Sequence, residues 1–269
     1  MQRLLILILL SPLSLFSQNS YGHLAGGRSA GLAHATVALP NGFSTHHNQA
    51  GLALLRQKQV SASYQQRYLV NDLQLGHLGF STPVANGHLG LAITQFGFEH
   101  FSETKIGLAY AQKLGKFISA GVQVNYEQNF VAEAQTFQTL TFETGLLAQV
   151  NEHLNLGFHV YNPTGSWLNE NAELRLPTVA RLGAAYTFSE EALWVAEVFM
   201  ENQLSTRYST GFEYRLLNFM ALRAGLAIAD DYEGTFGLSA YLEDFSLNVA
   251  YQYGFILGPN LSYGLQWAF

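Results

Sequence analysis

The chain has no cysteine, so disulfides, thiol catalysis, zinc–thiolate sites and lipid anchoring through a thiol are excluded. The compartment stays open, because an oxidising compartment permits disulfides without requiring them. Charge is scarce as well. Asp, Glu, Lys and Arg make up 12% of the residues, against about 25% in a typical soluble domain. The net charge is −6 and no basic stripe is present, which excludes a nucleic-acid partner. Proline is rare, with 6 among 269 residues. Beyond the amino-terminus no apolar run approaches the roughly 20 residues of a membrane-spanning helix. The mean hydropathy of +0.08 is too low for a bundle of such helices. Glycine (25), phenylalanine (19) and tyrosine (14) are abundant. Little charge, much glycine and aromatic content, and modest hydropathy together describe alternating strands.

The first twenty residues, "MQRLLILILLSPLSLFSQNS", carry one cation, Arg3, then an apolar run from Leu4 to Leu10 that continues to Phe16. Small residues follow, with Ser17 the expected last residue before cleavage. This is the layout of a secretory signal peptide over residues 1–17. The alternative, a buried amino-terminal strand, fits the single cation and the small-residue boundary less well.

From Lys58 onward the sequence divides into strand-length pieces with period-two alternation. They are 58–67, 72–80, 87–96, 104–113, 117–127, 138–150, 153–161, 177–188, 192–201, 205–216, 218–228, 234–242, 245–253 and 260–269, fourteen in all. Ile118, Ala120, Val122, Val124 and Tyr126 share one face, opposite Ser119, Gly121, Gln123 and Asn125. Short connections such as "KLGK" and "LED" alternate with longer ones such as "RYLVND" and "NPTGSWLNENAELRLP". An even strand count with short turns at one end and longer loops at the other describes a bacterial outer-membrane barrel. Strands of about 9–11 residues also suit a tilted membrane crossing. Alternation alone fits a soluble barrel or sandwich too, and two features decide. The face opposite the apolar stripe is built of Gly, Ala, Ser and Thr, where a soluble surface would carry Lys and Glu. Aromatic residues gather near strand ends, as interfacial girdles do. The expected fold is all-β, a 14-stranded antiparallel transmembrane β-barrel over 58–269, integral to the outer membrane and in contact with its lipid.

Residues 18–57 precede the first strand and show neither a two-residue nor a 3.6-residue period. They are too rich in Leu, Val and Ala for a solvated tail. An amino-terminal plug inside the lumen accounts for both features, since irregular backbone at membrane depth is tolerated when buried in protein. Within this segment, "GGRSAGLAHATVALPNGFSTHHNQAGLALL" resembles the amino-terminal region of the PorV/PorQ group of Bacteroidetes outer-membrane proteins, relatives of the FadL-type fatty-acid transporters. The parts that carry the resemblance are the opening Gly26–Gly31, the stretch Ala35–Leu39, and the motif Asn48, Gln49, Ala50, Gly51, Leu52. Gln49 stands where the group has proline. "LGFHVYNPTG" at 156–165 is similar to the group's mid-barrel strand. The resemblance implies a FadL-like barrel with a plug, whose gate is the Asn48–Leu52 motif. It implies either service in type IX protein secretion, with secretion-system proteins as partners, or movement of a hydrophobic ligand.

By alternation, Glu127, Glu143, Arg181, Glu197, Arg207, Glu213, Arg215 and Arg223 face the lumen. Four carboxylates against four guanidinium groups read as an internal network that pairs across strands and holds the plug, together with Arg28; a polar translocation path is the alternative. His46 and His47 adjoin the Asn48 motif, but adjacent imidazoles point apart, so no metal is expected. There is no G-x-S-x-G, no H-E-x-x-H and no phosphate loop, so neither catalysis nor a cofactor is expected. Trp167 lies in the longest outer loop. The stripe Tyr263, Leu265, Trp267 and Phe269 resembles the carboxy-terminal signal read by the outer-membrane insertion machinery. Two functions follow: a secretion scaffold with a fixed plug, favoured by the short outer loops, or a transporter of hydrophobic small molecules with a movable plug and a lateral exit.

Overall fold

The computed structural model describes residues 24–132, 136–169, 174–202 and 204–269. The expected signal peptide lies outside them. Strands, numbered in chain order, are β1 (Gln59–Gln66), β2 (Gln74–Val84), β3 (Gly87–Phe98), β4 (Phe101–Lys113), β5 (Ile118–Val131), β6 (Phe137–Gln149) and β7 (Leu154–Tyr161). A small separate hairpin, β8 (Trp167–Asn169) and β9 (Leu174–Arg175), decorates the next loop. Then come β10 (Val179–Thr187), β11 (Ala192–Glu201), β12 (Arg207–Leu217), β13 (Met220–Ile228), β14 (Tyr232–Leu242), β15 (Phe245–Gly254) and β16 (Gly258–Ala268). All but β8 and β9 form one closed antiparallel barrel of fourteen strands. Its seam pairs β1 with β16, from Gln59 opposite Ala268 to Gln66 opposite Leu261. Closure leaves no unpaired strand edge, which lipid could not satisfy.

The alternation sorts the two faces as the sequence predicts. Tyr263, Leu265, Trp267 and Phe269 point outward, while Ser262 and Gly264 are buried toward the lumen. Outward side chains such as Leu108 and Phe236 are 63% and 70% exposed, and an apolar exterior of this extent is stable only against lipid. The barrel is an integral outer-membrane protein. At the end bearing the short turns, the rings of Phe245 and Trp267 stack at 5.4 Å and those of Trp267 and Phe269 at 4.3 Å. Short turns mark the periplasmic end.

Two expected loops are shorter than their sequences indicate. The strand expected to stop at Phe80 runs on through Thr82 and Pro83 to Val84, with Pro83 opposite His88. The Thr-Pro step reads as a turn, yet a proline is tolerated at a strand end where no ladder donor is required. The stretch "GFEHFSET" is likewise a tight hairpin, with Phe98 opposite Phe101. Gly97, at φ 102°, lets β3 bend into it.

Residues 24–57 fill the lumen as short turns: α1 (Gly27–Gly31), α2 (Ser44–His47) and a 3₁₀ helix, Gln49–Leu54. From Ala25 to Leu52 the segment is buried almost throughout against the wall, with no solvent face, and that explains its missing period. Leu32, Ala35, Ala38 and Leu39 pack on Ala185 and Val195 of the wall. Leu52 packs on Ala109 and Ala111 on the opposite side. Glycines on the lumen face admit the plug backbone. A Cβ on Gly121 would lie 2.5 Å from the Ala50 nitrogen, one on Gly211 2.9 Å from the Leu32 Cα, and one on Gly157 would collide with the Val37 carbonyl.

Candidate functional site

The lumen charges form separate clamps rather than one network, and each clamp holds a different part of the plug. On β10 and β11, Arg181 donates to both Glu197 oxygens at 2.6 and 3.0 Å, and both residues are buried. Arg181 also donates to the His47 carbonyl at 2.9 Å. Glu197 Oε2 accepts the backbone N–H groups of Thr36 and Val37, each at 2.8 Å. A buried ion pair with its remaining hydrogen-bonding positions filled by plug backbone meets the condition under which such pairs are tolerated.

The second clamp lies nearer the periplasm. Glu213 of β12 accepts from Arg28 of the plug through two bonds of 2.8 Å, and from Arg223 of β13. Arg223 donates further to Ser239 and to the Tyr241 hydroxyl. On the other wall, Glu143 of β6 accepts from Lys105 at 3.0 Å, Gln49 at 2.7 Å and Asn125 at 2.9 Å, and faces His159 Nε2 at 3.0 Å. Its neighbour Glu127 accepts hydroxyls from Thr141 at 2.6 Å and Tyr161 at 2.7 Å. Arg207 pairs with Glu233 at 2.9 Å near the outer end.

Arg215 departs from the expected set. It shares the parity of Glu213, but it sits where β12 meets the periplasmic rim. There it is exposed and lies over the Tyr241 ring at 5.3 Å, outside every clamp. Parity fixes the face of a strand residue and leaves its height open. Lys105 and Glu233 join the clamps without having been anticipated. Lys105 was readable, since Ile106, Leu108 and Tyr110 face outward and leave it inward. Glu233 fell in an expected loop, and β14 begins at Tyr232 instead.

The Asn48–Leu52 motif is buried throughout. Asn48 caps the 3₁₀ helix by accepting from Ala50 N–H at 3.2 Å, and donates to Val37 and Leu146 carbonyls at 2.8 and 3.1 Å. Ser119 donates to the Ala50 carbonyl at 3.0 Å. Gln49 ties the motif to Glu143, which the proline of the resembling group could not do. His46 meets the His77 ring edge-on at 4.8 Å, while His47 Nε2 contacts the Ala25 carbonyl at 2.8 Å. Burial holds both imidazoles well below their usual range, with Lys105 adding to the effect at His46 and Arg181 at His47. Among the described residues no group of three or more His, Cys, Asp or Glu is placed to hold a metal.

Two cavities flank this plugged lumen. One, of about 330 Å³, opens at the outer end and is lined by Leu24 at the start of the plug and by the ends of β11 to β16. The other, of about 560 Å³, is an open apolar groove on the lipid-facing side of the seam. It is bounded by lipid-facing Tyr64, Leu78, Val249 and Tyr263, and its floor is the unbroken ladder in which Ser63 pairs with His77 and Gly264.

These features define a plugged outer-membrane β-barrel. No family model and no curated protein matches the sequence. Solved structures do match in fold. The CymD monoaromatic hydrocarbon channel superposes with a TM-score of 0.74 at 11% identity, over 91% of this chain and 97% of that one. The toluene transporter TbuX of Ralstonia pickettii gives 0.73 at 11% identity, over 91% and 98%. A FadL homologue of Pseudomonas aeruginosa gives 0.69 at 11% identity, over 91% and 98%. The fold is therefore that of the FadL-type barrels. These matches overturn the expectation of a secretion scaffold: the similar structures are hydrocarbon channels and transporters, and none ties the chain to the PorV/PorQ group or to a secretion partner.

Proposed function

We propose that this barrel is a channel for hydrophobic small molecules across the outer membrane. The observation that carries the reading is an outer cavity above a fitted plug, together with an apolar groove on the lipid face of the seam. The cavity opens outward beside Leu24, and the groove lies against lipid over β1, β2, β15 and β16. A solute entering from outside meets the plug, which blocks the straight path to the periplasm. A sideways path would open at the seam, where the outward residue between Val60 and Tyr64 is the small Ala62. The likeness to CymD and TbuX supports the same reading. In this proposal the Asn48–Leu52 motif is the part of the plug that rearranges, with release of Gln49 from Glu143, the other clamps hold the rest, and Tyr263, Leu265, Trp267 and Phe269 serve insertion. The test is uptake of toluene by whole cells with and without the barrel. Expression should raise the initial rate severalfold, and filling the seam with Ala62→Phe should remove the gain. Equal rates with and without the barrel would refute the proposal.

A further inference from the structure

The outer cavity has a lining that a pure hydrocarbon does not match. Leu24, Phe199, Leu204 and Leu257 supply apolar surface, and its volume of about 330 Å³ is at the lower end for small-molecule sites, room for one ring or a short chain. The same lining holds four carboxylates, Glu201, Asp230, Asp231 and Glu233, against two guanidinium groups, Arg67 and Arg207.

Most of these charges already have work within the protein. Glu233 accepts from Arg207 and from Gln252 at 3.0 Å. Asp231 accepts the backbone N–H groups of Tyr232 and Ile256 at 2.7 and 2.9 Å, and Asp230 accepts the Ser205 hydroxyl at 2.7 Å. The Arg67 guanidinium lies over the Phe96 ring at 5.3 Å. Glu201 differs: its carboxylate, half-buried at the end of β11, has no hydrogen-bond or ion-pair partner among the described residues.

We propose that this cavity binds small amphiphiles with an apolar body and an ammonium head, and that Glu201 is the head's counter-ion. The proposal rests on the channel reading and narrows its substrate class. A neutral hydrocarbon entering the cavity would dehydrate the Glu201 carboxylate and return nothing for it. An anionic amphiphile would meet an excess of carboxylates. An ammonium ion gains a charge-assisted hydrogen bond, and the Phe199 and Tyr68 rings in the same lining are of the kind that attract cations.

Three ligands of matched size separate the possibilities: benzylamine, toluene and benzoate, titrated calorimetrically at pH 7 into the purified full-length barrel. Benzylamine should bind at least tenfold tighter than either of the others. Glu201→Gln should weaken benzylamine about tenfold and leave toluene within twofold. Glu201→Lys should abolish amine binding, with heat-modifiable migration on gels confirming that each variant is folded. Toluene or benzoate binding as tightly as benzylamine, or full amine affinity in folded Glu201→Gln, would overturn the proposal. Whole-cell uptake keeps the two readings apart. A barrel that carries toluene but shows no amine preference sinks this site and spares the channel. One that binds benzylamine through Glu201 yet speeds uptake of neither compound supports the site and sinks the channel.

Discussion

The two halves of the plug are held by different shares of charge and neutral packing. Residues 27–39 lie under charge: Arg28 on Glu213, the Thr36 and Val37 amides on Glu197, and the His34 carbonyl 3.4 Å from Arg181. Residues 42–54 contribute no charged side chain of their own. Wall charges reach them at two points, Arg181 on the His47 carbonyl at 2.9 Å and Glu143 on Gln49 at 2.7 Å, and the rest seats through hydroxyls and close backbone approach, as in Ser61 to the Gly42 carbonyl at 2.9 Å and the Gln49–Ala50 backbone over Gly121. Breaking a buried ion pair strands a charge, whereas breaking a neutral contact costs little more than the contact itself. The first half is thus the fixed anchor, and the second is the part that a modest free energy can displace.

The largest test strikes the anchor. Arg181→Met leaves Glu197 buried without its cation, which costs about 3–5 kcal/mol. It should lower the thermal unfolding midpoint and open ion conductance in planar bilayers. Gly121→Val strikes the second half instead, forcing the Gln49–Ala50 backbone off the wall at a cost of about 1–3 kcal/mol. Conductance should rise while the unfolding midpoint moves little, and Gly234→Ala, with open space around it, should do neither. If the two variants gave the same ratio of conductance to destabilisation, the contrast between the halves would fail.

Acidification should act on the second half as well. The seated plug keeps His46 and His47 neutral, with depressed affinity for protons, whereas a released plug binds protons near the ordinary imidazole value. The seated state is therefore fully favoured above about pH 6.5 and loses ground below it. Between pH 6.5 and 5.5 the loss is about 1 kcal/mol per imidazole. Conductance should be flat from pH 8.5 to 7.5 and rise by pH 5.5, and the rise should be smaller in His46→Gln. The smallest effect belongs to Arg215→Ala. At the exposed rim it should shift stability by less than about 0.5 kcal/mol, a change visible in the unfolding midpoint if Arg215 belonged to a clamp.

The wall was legible in the sequence because lipid and lumen demand different residues at alternate positions. Segments such as 118–127 and 245–253 therefore declare their faces without help. Strand ends were less legible: Thr82–Pro83 and Gly97–Phe98 carry turn chemistry yet remain in strands. The plug was readable as buried, but its partners were not. Arg28 and Glu213 are 185 residues apart, and nothing local in either marks the other. The Gln49–Glu143 bond was hidden for the same reason. The substitution of glutamine for proline was visible, but its use depends on a carboxylate 94 residues away. The role of the barrel was the least legible part. Short motifs in the plug resemble more than one kind of outer-membrane protein, and loop length says little about what crosses the lumen.

The glycines that admit the plug backbone also constrain the order of assembly. A wall recessed to match one particular backbone leaves no clearance for threading that backbone through a finished ring. Residues 24–57 must therefore be in place before β16 meets β1. Because they directly precede β1, they can be in place before the strands close, and the sheet can wrap around them as around a mandrel. On this view the plug is a gauge of circumference as well as a stopper, and its removal would change how wide a barrel the remaining strands choose to close.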